Sequence, residues 1–74
     1  MARISGVETE AGLMVAIAGA LAARDLRRLE RVCGPAVEQR QRLHVILKQG
    51  STVDEFARAY LDRLRARGAD VRRG

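Results

Sequence analysis

Thirteen consecutive residues without a charge, AGLMVAIAGALAA at positions 11–23, constrain this chain more than any other stretch. The next eight, RDLRRLER at 24–31, carry six charges. A membrane span needs about 20 apolar residues, so the run reads as part of a buried core helix. Arg3, the apolar run and Ala20-Leu21-Ala22 have the order of a secretory signal. Glu8 and Glu10 directly before the run, and Gly12 within it, weigh against one. A cytoplasmic chain is expected.

Abundant alanine, only two aromatics (Phe56 and Tyr60) and few β-branched runs favour helix over sheet. The spacing predicts a first long helix over about 9–33, with Ser5-x-x-Glu8 or Thr9 at its start. Gly34-Pro35 punctuates it. A second helix is expected over about 35–49, closed by Gly50. A third, over about 52–67, has caps in Ser51 or Thr52 and an apolar stripe of Val53, Phe56, Ala57, Tyr60, Leu61 and Leu64. Gly68 ends it, and 68–74 is left as a basic tail. The expected fold is all-α: a single helical domain over 1–74, a small three-helix protein with one long N-terminal helix packed by a C-terminal helical hairpin.

With 74 residues the core is marginal, and chains of this size usually need a staple. Cys33 is the only cysteine and His44 the only histidine, so neither an internal disulfide nor a metal cluster is expected. That leaves partner chains or helix packing. On a helical wheel, Leu26, Leu29 and Cys33 share one face with Val15, Ala18 and Ala22, which suits the intrachain hairpin. Leu13, Met14, Ile17 and Leu21 form a second apolar face, and Gly12, Ala16, Gly19 and Ala23 a strip of small residues. A helix apolar all round has to be covered on all sides, so a second copy or another protein is expected on the Leu13/Ile17/Leu21 face or on the small-residue strip, where backbones can pack closely: a homo-oligomer, or a larger complex.

The net charge of +5 is uneven. Positions 1–23 carry −1, from Arg3 against Glu8 and Glu10, and the remainder carries +6. Arg24, Arg27, Arg28 and Arg31 fall at i, i+3, i+4 and i+7, one face of a helix. Guanidiniums there suit an acidic protein surface or phosphate. Gly-rich phosphate loops, paired catalytic carboxylates and metal-ligand spacings are missing. A helix-turn-helix centred on Gly50 fits poorly, with Ile46 where a small residue belongs and Ser51 where an apolar one does. The functional expectation is a non-enzymatic protein-interaction module, acting as a subunit, adaptor or inhibitor, without cofactor, membrane or small-molecule substrate. The alternative is a basic nucleic-acid binder using the Arg24–Arg31 stripe.

Overall fold

The uncharged run forms strand, not helix. In the computed structural model, which describes residues 1–74, the chain is a mixed α/β fold. It begins with an antiparallel hairpin of β1 (Arg3–Thr9) and β2 (Gly12–Ala18). A short β3 (Ala20–Leu21), a 3₁₀ turn (Ala23–Asp25) and α1 (Leu26–Glu38) follow. Then come β4 (Leu43–Leu47), a short β5 (Thr52–Val53), α2 (Glu55–Ala66) and β6 (Asp70–Arg73). The main sheet has the order β1-β2-β4-β6, with β2, β4 and β6 mutually parallel. β3 and β5 pair in parallel beyond the ends of β2 and β4. No helix is long and apolar enough to cross a membrane.

The all-α expectation is overturned for a definable reason. β2 lies between β1 and β4; Leu13, Val15 and Ile17 face the helices, while Met14, Ala16 and Ala18 on its other face are half-buried and equally apolar, so its sequence is apolar without interruption. An interior parallel strand reads this way, and periodicity cannot separate it from a buried helix. The first expected helix (9–33) therefore divides into β1–β3, the 3₁₀ turn and most of α1. Ser5 and Glu8, expected as a capping box, lie in β1. The second (35–49) divides into the end of α1, a loop and β4, while the 68–74 tail contains β6.

Gly34-Pro35 does not stop α1; Pro35 sits inside it. Its missing N–H would have bonded Arg31, and both residues lie on the exposed side, where water reaches the spare carbonyl. α1 instead ends in a Schellman motif, with Gln41 N–H donating to Ala36 O (2.8 Å) and Arg40 N–H to Val37 O (3.2 Å). α2 ends the same way, with Ala69 N–H donating to Leu64 O (3.0 Å) and Gly68 N–H to Arg65 O (2.9 Å). The left-handed position is Gly68 (φ +97°) in α2, as its sequence suggests, but Arg40 (φ +54°) in α1.

The third expected helix survives as α2, begun by Asp54 rather than Ser51 or Thr52. The Asp54 carboxylate accepts from Ala57 N–H (2.8 Å) and, with its second oxygen, from Ala23 N–H (3.0 Å), joining α2 to the 3₁₀ turn. Phe56, assigned to its apolar stripe, is exposed. Both helices pack on one face of the sheet. Val15, Ile17, Val45 and Leu47 from the strands form one core with Leu29 and Cys33 of α1 and Leu61 and Leu64 of α2. Leu26, Leu29 and Cys33 do share the inward side of α1, since that part of the chain is helical.

Candidate functional site

The residues grouped on the expected first helix come apart on a strand, where neighbours alternate between faces. Leu13 and Ile17 point toward the helices, and Ile17 is fully buried. Leu21, in β3, is also core. Met14 points the other way. The small residues separate too. A Cβ on Gly12 (φ +120°) would lie 2.3 Å from the Arg42 carbonyl oxygen. Gly19 (φ +90°) makes the turn from β2 to β3. Ala16 lies on the helix-free side of β2, and Ala23 begins the 3₁₀ turn.

The arginine stripe divides by role. Arg28 pairs with the buried Asp25 (3.1 Å) and donates to the Ala2 carbonyl (2.5 Å), which ties the N-terminus to the start of α1. Asp25 itself accepts from Ala22 N–H (3.0 Å). Arg24, Arg27 and Arg31 are exposed and form no ion pair; only Arg28, Arg65 and Arg72 pair with carboxylates anywhere in the chain.

The second face of the sheet carries no helix. Register places Val7 beside Met14, Ser5 beside Ala16, and Ala16 beside Ile46. These residues floor a shallow groove of about 430 Å³ that Lys48, Gln49 and Gly74 complete at one end. Val7 is 61% exposed, high for a valine in the middle of a strand. Toward β6 the face becomes polar. His44 Nδ1 stands 3.5 Å from Asp70, which also accepts from Arg72. That hydrogen bond from the Arg72 guanidinium is the main reason the Asp70 carboxyl sits below the ordinary carboxylate range. His44 Nε2 faces the Ala11 carbonyl oxygen (3.2 Å), so its second nitrogen is also engaged within the fold. Sequence reasoning missed Val7, Ile46 and Lys48. The alternation in Leu43-His-Val-Ile-Leu47 was the available signal, since it sets His44 and Ile46 opposite Leu43, Val45 and Leu47.

Two further groups are displaced by burial. Cys33 is pushed up to about 11 and Tyr60 to about 12. Cys33 is consequently a neutral core thiol rather than a nucleophile. No family model, curated protein or solved structure matches this chain.

Proposed function

We propose that the chain is a non-enzymatic interaction module, a cytoplasmic adaptor, subunit or inhibitor, that receives an acidic protein partner on the bare face of its sheet. The observation that carries this reading is the apolar floor of Val7, Met14, Ala16 and Ile46 with no helix over it, flanked by the unpaired Lys48 and by Arg72, which Asp70 pairs. Apolar patches rimmed by charge favour protein docking. A second copy brings the same basic rim and a further net +5, so self-docking sets like charges together. An acidic partner removes that conflict. The face also has no aromatic side chain, and single-stranded nucleic acid binds sheets chiefly by stacking on aromatics. The exposed Arg24, Arg27 and Arg31 favour the nucleic-acid reading as the alternative.

Isotope-labelled protein titrated with an acidic amphipathic peptide of Glu and Leu, and with its Lys/Leu counterpart, tests the reading. The acidic peptide is expected to shift the amides of 7, 14, 16 and 46, and Val7→Glu with Ile46→Glu to abolish the shifts. Light scattering is expected to give a monomer. Three results overturn the reading: equal response to both peptides, a dimer dispersed by Val7→Glu, or shifts confined to α1 on adding a DNA or RNA oligonucleotide.

A further inference from the structure

The largest hollow in the molecule lies away from the bare sheet face. It opens where the C-terminal ends of α1 and α2 meet the start of β4, and has a volume of about 450 Å³. Organic ligands occupy sites of about 300–1,000 Å³. Val37, Leu43, Leu64 and Ala69 give it an apolar floor, and Arg40, Arg42 and Arg67 stand around it. No acidic residue lines it.

Three guanidiniums around one hollow repel each other unless something shares their charge. Here nothing in the chain does. None of the three forms an ion pair or a side-chain hydrogen bond, although arginines elsewhere in the fold do. In the crevice between α2 and β6, by contrast, Arg65 pairs with Asp62, Arg72 with Asp70 and Arg73 donates to the Ser51 carbonyl, leaving Arg58 alone of its arginines without a partner. Nor are the three arginines occupied in capping the helices. The carbonyls of Ala36, Val37, Leu64 and Arg65 already receive backbone N–H groups from the two Schellman motifs.

We propose that this hollow binds an amphiphilic organic anion: a carboxylate or phosphate monoester carried on an apolar body. The head group takes the Arg40, Arg42 and Arg67 guanidiniums, which match planar or tetrahedral oxyanions with paired donors. The apolar body covers Leu43, Leu64 and Val37. Gln41, also in the lining, offers a neutral amide to the same head group. The ligand is bound and not transformed, since no nucleophile or acid–base group lines the hollow.

Calorimetry and amide-shift mapping on the full chain test this with four probes: octyl phosphate below its micelle concentration, octanoate, inorganic phosphate and octanol. One-to-one binding of octyl phosphate or octanoate is expected, with shifts at 40–43 and 67–69; the preferred of the two identifies the head group. Inorganic phosphate and octanol are each expected to bind at least tenfold more weakly. Arg42→Gln and Arg67→Gln should each weaken binding about tenfold, while Arg27→Gln and Arg58→Gln leave it unchanged. Arg42→Lys and Arg67→Lys keep the charge without the fork and are each expected to bind severalfold more weakly. The proposal is overturned if neither amphiphile binds, or if inorganic phosphate matches them. It is also overturned if the Arg42→Gln/Arg67→Gln double variant, with an unchanged circular dichroism spectrum, binds as the parent does. Shifts that map to 7, 14 and 46 instead would assign the amphiphiles to the sheet face and equally overturn it.

Discussion

Replacing Arg40 by glycine is expected to make this protein more stable. Arg40 holds φ at +54° in the Schellman motif of α1, where α2 uses Gly68. A side chain with a Cβ loses about 1–2 kcal/mol in the left-handed region. Glycine relieves that and returns about 0.5–1 kcal/mol through the greater freedom of its unfolded chain. No side-chain hydrogen bond or ion pair of Arg40 is lost, so the net gain is about 0.5–1 kcal/mol. For a domain of this size that raises Tm by roughly 2–8 °C. Thermal and urea unfolding followed by far-ultraviolet circular dichroism reads it directly, and the m-value should stay constant because the surface exposed on unfolding is the same. The reciprocal change supplies the control. A Cβ at Gly68 meets nothing within 4 Å, so Gly68→Ala sets only backbone strain at φ +97° against the gain from a stiffer unfolded chain, and should lose about 0.5–1 kcal/mol. If Arg40→Gly leaves Tm unchanged or lowers it, the arginine is making an interaction that the geometry does not contain, and the reasoning fails. The same variant should bind octyl phosphate more weakly, so stability and binding move in opposite directions.

The remaining expectations bear on packing and titration. Gly12→Ala forces a Cβ against the Arg42 carbonyl at φ +120°, and should lose more than about 2 kcal/mol or prevent folding, read as loss of a cooperative urea transition. Ile17→Ala should cost about 2–5 kcal/mol, whereas Met14→Ala, on the bare face, should cost well under half of that; equal losses would place both in the core. Asp54 and Asp70 titrate below their unfolded values, so their support is present above about pH 4 and is lost as pH falls through the lowered folded values. Cys33 and Tyr60 titrate above theirs, so stability is full below about pH 9 and declines as pH rises through about 11 and 12. A urea midpoint flat from pH 9 to 11 would refute the burial of Cys33, as would its rapid alkylation in the native state.

What was legible in the sequence was the local chemistry of helix ends and faces. The amphipathic stripe and the left-handed stop at Gly68 mark α2, although its cap is Asp54 and not the expected Ser51 or Thr52. Leu26, Leu29 and Cys33 carry the helical spacing and lie on the buried side of α1. Legibility failed where tertiary position overrides local pattern. β2 is a strand because β1 and β4 pair with both of its edges, and no feature within residues 12–18 announces them. Gly34-Pro35 suggested a break that the exposed side of α1 tolerates, while the true end fell at an arginine. The hollow was invisible for a related reason. Arg67 lies 25 positions from Arg42, and only the parallel pairing of β4 with β6 brings their elements side by side.

That pairing also orders events in time. The β1–β2 hairpin closes across two residues and forms on a microsecond scale. The parallel ladders have to wait for their crossover helices, and β6 docks only on a β4 already in place. The turn holding Arg67 and Gly68 leads directly into β6. An anion seated among Arg40, Arg42 and Arg67 would act as a latch on the β6 edge of the sheet, which is held by β4 alone. Amide exchange along β6 should slow when the hollow is filled and leave the hairpin unaffected.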